Sequence, residues 1–334
     1  MSKVIPMIGA AALIPMIRWM DANGRAVARR LEEADLGFFP FDHPERPVPL
    51  LNAIEFLRSA ARTEGPDFGC RIITATSMRD LATLGQVALG AATPREALRR
   101  VIAALPRHCT HEQLSVINSP GGVLVHETMR VDLDGEALHL VHQYNASIIR
   151  CLLAMTRARE PLLTRIEMVP HPEFGFDHLT AWFGSVFTPA RSRGLVLTVP
   201  KGVMDAEFPR VARDRSAQIA RARWPVLQGD GRLAPSARSV IAAMLPGGAP
   251  TVERLAVTAG TSVRTLQRRL RDEGTSFSRL LEAARRDAAL VELSKGTAPM
   301  GEVAQATGYA GQSALTRAVK RWTGETPREF RAGS

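Results

Sequence analysis

Apolar and polar positions alternate with a helical period through the last third of the chain, and the same arrangement occurs twice. In 251–270 and again in 300–319, a short apolar stripe is followed by a glycine, Gly260 or Gly308, and then by a second apolar stripe. A helix, a tight turn and a second helix at this spacing predict two helix-turn-helix units about 48 residues apart. Because no strand pattern occurs beyond Ser236, we predict an all-α C-terminal domain.

The first two thirds of the chain mix helical and strand patterns. Apolar residues recur at helical spacing from about 20 to 112, and Thr93-Pro-Arg-Glu96 has the N-cap, proline and glutamate of a capping box. Apolar runs on both sides of Ser119-Pro-Gly-Gly122 predict a β-hairpin. Another helix is expected over 139–156, and further strands are expected over 165–169 and 194–199. This part is therefore predicted to be an α+β N-terminal domain.

These changes of pattern set the predicted domain boundaries. We expect the α+β domain over 1–205, a helical linker over 206–235 and the all-α domain over 236–334. Val4–Ile17 is almost wholly apolar, like the core of a signal peptide, but two prolines interrupt it and it is too short to span a bilayer. We interpret it as a buried segment of the first domain, and no membrane association is expected.

Between the two units, apolar residues at helical spacing predict a long connecting helix. Its single apolar face would pack against both helix-turn-helix units and set their separation. The residues of this face are Phe277, Leu280, Leu281, Ala284, Ala288 and Val291.

Composition adds a partner class and a compartment. The chain is 45% hydrophobic and 23% charged, as in ordinary soluble globular proteins, and its net charge is +10. Residues 236–334 contain 15 Lys or Arg against 9 Asp or Glu, a net charge of +6. This excess favours a polyanionic partner. Cys70, Cys109 and Cys151 form neither a CxxC motif nor an even disulfide framework, so a reduced cytoplasmic location is expected.

The side chains on the outer faces of the second helices, 262–271 and 312–322, are of the types that contact duplex DNA. Apolar residues such as Leu266 and Val319 mark the inner faces, and Arg, Gln, Ser and Thr remain outside. We predict base readout by Arg264, Gln267, Arg268, Gln312, Ser313 and Arg317. We predict phosphate contacts by Ser262, Thr265, Arg271, Thr316, Lys320 and Arg321. The two helices would enter successive major-groove segments.

The second unit also carries a family resemblance. From Glu302 to Arg331 the chain reads Glu-Val-Ala-x-x-x-Gly-Tyr-x-x-Gln-Ser-x-Leu-x-Arg-Ala-x-Lys-Arg-Trp-x-Gly-x-x-Pro-x-x-Phe-Arg. This string resembles the signature of the DNA-binding domain of the AraC/XylS family. At Leu315 and Val319 the family usually has aromatic residues, and at Ala310 a polar residue is common. Both aliphatic positions lie on the packing side, so the departure concerns the shape of the core.

The N-terminal part resembles a sensor domain of the same family. Residues 47–71, Leu84-Gly85 and Thr93-Pro-x-Glu-Ala-Leu98 are similar to the arabinose-binding-type domain of ornithine-utilisation-type regulators. The resemblance implies an effector-responsive transcription regulator, more specifically an activator, with an N-terminal effector-binding and dimerisation domain. The implied partners are a double-stranded DNA operator, a small-molecule effector, RNA polymerase and a second copy of the chain. It identifies neither the effector nor the residues that bind it.

An enzyme is the alternative from another class. His139 and His142 lie one helical turn apart, as do His108 and His111, but no carboxylate or Cys partners with ligand spacing accompany them. No His-Glu-x-x-His or Gly-x-Ser-x-Gly motif occurs, so we predict no catalytic residues, no metal and no cofactor. Two further alternatives stay open: a redox- or metal-responsive regulator, and an architectural DNA-binding protein without an effector.

Overall fold

The chain folds into two units with different secondary structure. The computed structural model describes residues 4–37, 44, 46–159, 161–209, 232–245, 250–296 and 298–333. The first unit is formed mainly by Pro6–Ala34 and the described residues from 46 to 209, and the second mainly by those from 232 onward. The first unit contains helices and sheets and the second contains helices, which confirms the predicted fold class.

A five-stranded sheet and a two-stranded sheet form the frame of the first unit. The strands are β1 (Met7–Gly9), β2 (Pro47–Pro49), β3 (Glu112–Ser119), β4 (Gly122–Met129), β5 (Arg165–Met168), β6 (Phe187–Pro189) and β7 (Leu195–Val199). β1 pairs with β2, and the larger sheet has the order β3-β4-β7-β5-β6. All neighbours are antiparallel except β5 and β6. The sequence did not predict β1, β2 or β6, each of which at three residues is too short to show a period.

The predicted hairpin is confirmed as the β3–β4 pair. Its register places Ser119 opposite Gly122, with two residues in the turn. Gly122 has a φ of +136°, and a Cβ atom there would lie 2.6 Å from the carbonyl oxygen of Val199 on β7. Glycine is therefore needed at this position both for its backbone conformation and for the close approach of the neighbouring strand.

Ten helices of the first unit lie within the described residues. They are α1 (Ile14–Ala22), α2 (Val27–Glu33), α3 (Leu50–Glu64), α4 (Phe68–Arg71), α5 (Ser77–Asp80), α6 (Ala82–Leu89), α7 (Pro94–Ala104), α8 (Gly135–Ala154), α9 (Thr180–Phe183) and α10 (Lys201–Met204). The cap of α7 follows the sequence prediction closely. Thr93 Oγ1 accepts a hydrogen bond from the Glu96 backbone N–H at 3.3 Å, and Glu96 Oε2 accepts one from Ala92 N at 2.7 Å.

The core of the first unit lies between α8 and the larger sheet. Val123 and Val125 of β4 face it, together with Leu195 and Leu197 of β7. The apolar segment near the N-terminus is also buried, with Leu13 fully enclosed. Among the described residues, every helix is too short or too polar to cross a lipid bilayer.

The second unit contains seven helices within the described residues. They are α11 (Leu233–Met244), α12 (Val252–Thr258), α13 (Val263–Asp272), α14 (Phe277–Ser294), α15 (Met300–Ala306), α16 (Gln312–Thr323) and α17 (Pro327–Gly333). α11 begins shortly before residue 236, and it packs against α12, α13 and α14. Most of the predicted linker, 206–235, lies outside the described residues.

The predicted apolar face of the connecting helix is wrong at its C-terminal end. Val291 is 53% exposed, whereas Ala289 and Leu293 are buried. The cause is that α14 contacts two different sets of neighbours: Leu280 and Ala284 are buried in its N-terminal half, while its C-terminal half faces the core of α15 and α16. The buried stripe therefore turns around the helix instead of continuing straight along it.

Candidate functional site

The first helix-turn-helix unit is built from α12 and α13. Thr251 caps α12 by accepting a hydrogen bond from the Arg254 backbone N–H at 3.2 Å, and Ser262 caps α13 by accepting one from Thr265 N at 3.2 Å. Gly260 lies between the helices with a φ of +60°, a conformation that side chains with a Cβ adopt at a cost. These short-range interactions fix where α13 begins, and so which of its side chains point outward.

The second unit is built from α15 and α16 around a small, fully buried core. Val303 and Ala304 of α15 meet Leu315 and Val319 of α16, with Leu293 of α14 in the same cluster. Leu315 and Val319 are the aliphatic residues that depart from the family pattern, and both have no exposed surface. The departure is thus accommodated within the core and leaves the outer face of α16 unchanged.

All six predicted base-reading side chains are exposed on the outer faces of α13 and α16. In the part of the chain that the structure describes, Arg264, Arg268 and Arg317 have no partner in an ion pair or hydrogen bond. An arginine that is not satisfied within its own domain keeps its planar set of donors for an external acceptor. The two faces therefore offer unpaired cations beside polar side chains.

The predicted phosphate contacts divide into two groups. Arg271 and Lys320 are exposed, but the other four already make contacts inside the domain. Ser262 Oγ donates a hydrogen bond to Thr265 Oγ1 at 3.0 Å in addition to capping α13. Thr316 Oγ1 donates to the Gln312 carbonyl oxygen at 2.9 Å. The Arg321 guanidinium lies 2.6 Å from Glu282 Oε1. A phosphate contact from these four would share or replace an existing bond.

Arg285 is a positioning residue that the sequence prediction missed. It projects from α14, and its Nη2 donates a hydrogen bond of 2.8 Å to the Gly308 carbonyl oxygen in the turn between α15 and α16. Its guanidinium carbon also lies 5.2 Å from the centre of the Tyr309 ring, a cation–π contact. Helical periodicity showed only that Arg285 lies off the apolar face of α14. The presence of a tyrosine directly after the turn glycine was the available signal.

Glu273 is a second residue with an unpredicted role. Its carboxylate accepts hydrogen bonds from the backbone N–H groups of Leu233 at 2.7 Å and Ala234 at 2.8 Å. It thereby satisfies two of the free donors at the N-terminus of α11 and places negative charge at the positive end of that helix. Since Glu273 directly follows α13, this contact ties the first helix-turn-helix unit to α11.

The histidines of the first unit that the sequence singled out are all buried. His139 Nδ1 lies 2.8 Å from the Val169 carbonyl oxygen, and its Nε2 lies 3.0 Å from His178 Nε2. Burial lowers the pKa of His139 to about 3 and that of His108 to about 4. Within the described ranges, no group of three or more His, Cys, Asp or Glu side chains is arranged to hold a metal ion.

The three cysteines are free thiols. Burial raises the pKa of Cys70 to about 12 and also raises the pKa values of Cys109 and Cys151. Since the thiolate is the form that reacts with oxidants, a raised pKa makes these side chains poor redox sensors at neutral pH. Their environment is that of structural cysteines in an apolar core.

Comparison with known proteins gives the class of the helical unit. Residues 255–333 match the family model described as "Helix-turn-helix domain". The chain is 27% identical over 288 residues to the HTH-type transcriptional regulator VirS of Mycobacterium tuberculosis, covering 82% of this chain and 81% of that protein. It is 35% identical over 86 residues to the Ornithine utilization regulator of Pseudomonas aeruginosa, covering 26% of this chain and 25% of that one.

Among solved structures, the chain is similar to the transcriptional regulator CdpR of Pseudomonas aeruginosa, with 22% identity and a TM-score of 0.41. That match covers 95% of this chain and 98% of the other. The matched helix-turn-helix domain begins within α12 and extends through α17, so it includes the exposed outer faces of α13 and α16. The helical unit therefore carries an AraC-type helix-turn-helix DNA-binding domain, and most of the chain is similar to HTH-type transcriptional regulators.

Proposed function

We propose that the chain is an effector-responsive activator whose two helix-turn-helix units read two successive major-groove segments of one operator. The observation that carries this proposal is the pair of outer faces on α13 and α16, where the predicted base-reading side chains are exposed and Arg264, Arg268 and Arg317 are unpaired within the described residues. Recognition helices of this motif enter the major groove, and contacts on one face of the duplex recur about every 34 Å.

The two faces divide the readout unequally. α13 presents Arg264, Gln267 and Arg268 to the first segment, and α16 presents Gln312, Ser313 and Arg317 to the second. Arg pairs with the acceptors of guanine and Gln with adenine in the major groove. Phosphate contacts from Ser262, Thr265, Arg271, Thr316, Lys320 and Arg321 would set the register of each helix on the duplex. The first face has more positive charge, so it would contribute more of the salt-dependent affinity.

Footprinting with single arginine variants tests this proposal. Wild-type protein should protect two groove segments per protomer, with centres about 10 base pairs apart. Arg268→Ala should weaken protection of one segment and Arg317→Ala that of the other, each costing roughly 1–3 kcal/mol at one base position. Arg286→Ala is the matched control, because Arg286 is exposed on α14 beside Asp287 and outside both faces.

Two results would contradict the assignment. A single protected segment per protomer would show that only one unit enters the groove. An equal loss of affinity on operator and random DNA would reassign Arg268 or Arg317 from base readout to phosphate contact.

The effector part of the proposal is supported by a cavity in the first unit. It has a volume of about 90 Å³ and is lined by residues of helices and of strands β3 and β4. A concave, mostly apolar site with a few polar groups is the usual form of a small-molecule site. A compound that binds there would act by favouring one arrangement of the protein over another. In vitro transcription with and without candidate compounds tests both the response and its sign.

The remaining partners follow from the same proposal. A homodimer would form through the first unit, residues 1–205, with 206–235 as the linker to the DNA-binding domain. The edge strand β3 supports this pairing, since it ends the larger sheet and Ile117 on it is 51% exposed. RNA polymerase would be recruited at the bound operator in the cytoplasm. Bridging of operator and polymerase in a gel-shift assay tests that step.

A further inference from the structure

The cavity of the first unit contains an unusual pair of acidic side chains. Most of its wall is apolar, with Leu and Ile side chains from α6, α7, α8 and neighbouring segments, and two glutamates, Glu112 and Glu127, also line it. Carboxyl groups are rare in apolar interiors, because burying an unpaired charge away from water is strongly unfavourable. A pair of them facing one small cavity therefore needs a physical reason.

Glu127 occupies a core position of its strand. Burial along β4 alternates, and Val123, Val125 and Glu127 form the inward row. Glu127 is only 1% exposed, and neither of its carboxyl oxygens accepts a hydrogen bond of good geometry from a described residue. The nearest cationic candidate is His142, whose Nε2 lies 3.7 Å from Glu127 Oε2. The carboxyl group thus lines the cavity, where Asn145 is near enough to lower its pKa but makes no hydrogen bond of good geometry to it.

Glu112 is the diagonal neighbour of Glu127 on the same face of the hairpin. The register pairs Glu112 with Met129 and Leu114 with Glu127, so the two glutamates are about 7–8 Å apart at Cα and their side chains can meet. Asn145 of α8 donates a hydrogen bond from Nδ2 to Glu112 Oε1 at 3.3 Å. Carboxyl oxygens from two strands and an amide from a helix therefore surround one end of the cavity.

No side chain of the cavity wall supplies the missing positive charge. None of the described residues that line the cavity is Lys or Arg, and the one histidine among them, His108, is kept neutral because burial lowers its pKa to about 4. Burial also lowers the pKa of His142 to about 4. Burial raises the pKa of Glu112 to about 7, and burial together with the charge of Glu112 raises the pKa of Glu127 well above its usual range. The two carboxyl groups therefore lack a cationic partner in the cavity wall, and a bound cation would supply one.

The same charges exclude other ligand classes. A fatty acid, or an amino acid with its own carboxylate, would bring a negative charge to a wall that has acidic groups and no cation. Size sets a second limit. An engineered cavity of about 150 Å³ accepts benzene, so a volume of 90 Å³ corresponds to about four heavy atoms.

We propose that this cavity binds a small primary ammonium ion with an alkyl chain of about two to four carbons. Its nitrogen would lie between Glu112 and Glu127, where its three N–H donors meet carboxyl oxygens, and its chain would lie among Leu and Ile side chains such as Ile148. This inference rests on the proposed function only in that the bound amine would be the effector. Binding itself does not depend on DNA.

Calorimetry on the full chain with n-butylamine tests the site. At pH 8 the amine is protonated, and n-butanol and butyrate serve as neutral and anionic analogues of the same size. We expect n-butylamine to bind at least tenfold more tightly than either analogue. Binding should also release protons, because Glu127 must ionise, and the observed heat should then depend on the ionisation enthalpy of the buffer.

Matched variants locate the binding. Glu127→Gln keeps the shape of the side chain but removes its charge, and it should weaken butylamine binding at least tenfold. Glu112→Gln should weaken binding too, and it is the test if Glu127→Gln does not fold. Glu173→Gln is the control, because Glu173 is exposed in the same unit and does not line the cavity.

Each outcome decides the inference. Equal binding of butanol and butylamine would show an apolar cavity without cation selectivity and would overturn it. Absence of butylamine binding, with Glu127→Gln folded and more stable than wild type, would mark Glu127 as a protonated structural residue. If butylamine binds but leaves the footprint and transcription unchanged, the site stands and the effector part of the proposed function fails. If another compound alters transcription to the same extent in wild type and in Glu127→Gln, the proposed function stands. The cavity is then not the site that senses the effector.

Discussion

The Arg285 side chain on the connecting helix and the Gly308 carbonyl group in the second turn are joined by a hydrogen bond of 2.8 Å. The guanidinium also covers the ring of Tyr309, the next residue. Since these contacts join α14 to the turn that precedes α16, they fix the orientation of the second recognition helix. Arg285 is thus remote from the outer face of α16 but helps to set the orientation of that face.

Replacing Arg285 should therefore loosen the second unit. Arg285→Lys keeps the charge but loses the planar contact with Tyr309, and it should lower the free energy of unfolding by about 1–2 kcal/mol. Protection of the second groove segment should fall more than that of the first. Denaturant unfolding and footprinting measure the two effects, and Arg286→Ala should change stability by less than about 0.5 kcal/mol. Equal loss of both segments would indicate general unfolding instead.

Gly308 should not tolerate a side chain. Its φ is +73°, and a Cβ atom would lie 3.2 Å from Leu245 Cδ2. Gly308→Ala should destabilise the domain by about 1–2 kcal/mol from backbone strain alone. Gly301→Ala is the matched control, because Gly301 lies in α15 with nothing within 4 Å of its Cβ position. That change should be neutral or stabilise by up to about 1 kcal/mol in a thermal melt. Similar effects at both positions would contradict this account of the turn.

The buried glutamates predict a specific pH dependence of stability. Burial raises the pKa of Glu112 from 4.5 to about 7, so between these values the folded state retains a proton that the unfolded state has lost. The contribution of Glu112 to the free energy of unfolding is fully present below about pH 4.5. It falls as the pH rises through 7, by at most about 1.4 kcal/mol per pH unit. Glu127 has the same sign, and its window extends to higher pH.

The measurement is a difference between proteins across pH 5 to 8. Stability of Glu112→Gln relative to wild type should increase with pH over this range. The other titratable groups near the pair are unchanged in the variant, so their contributions largely cancel; they are His108, His142 and Tyr144. A relative stability that stays flat with pH would mean that Glu112 is already ionised in the folded state. Glu173→Gln should show no such trend.

The edge strand β3 predicts how the proposed dimer can be disrupted. Ile117 on β3 is a large apolar side chain that is 51% exposed, and an unpaired edge invites antiparallel pairing with a second copy about a twofold axis. Ile117→Lys should shift the protein from dimer to monomer, as measured by sedimentation velocity. The dimer dissociation constant should increase at least tenfold. Phe174→Lys, at another exposed apolar residue, should leave the dimer intact. A dimer that persists in Ile117→Lys would place the interface elsewhere.

Local patterns in the sequence were sufficient to predict the helix-turn-helix units and the hairpin. Caps such as Thr251 and Ser262, turn glycines such as Gly260 and the 3.6-residue apolar period act over a few residues, so they can be recognised without knowing what packs where. They also determined which face of α13 and α16 is polar. The exposed positions of Arg264, Arg268 and Arg317 follow from that phase.

Only the tertiary structure decided the features that depend on distant segments. Val291 turned out to be exposed because α14 meets two different cores, and Arg285 acquired its role because the second turn lies against that helix. Glu127 stands in the inward row of β4, and this could be seen from its alternation with Val123 and Val125. That it faces Glu112 across one cavity depends on strand register and on helices far away in sequence. Burial and electrostatics at such a site arise from packing between remote segments, and local periodicity does not encode that packing.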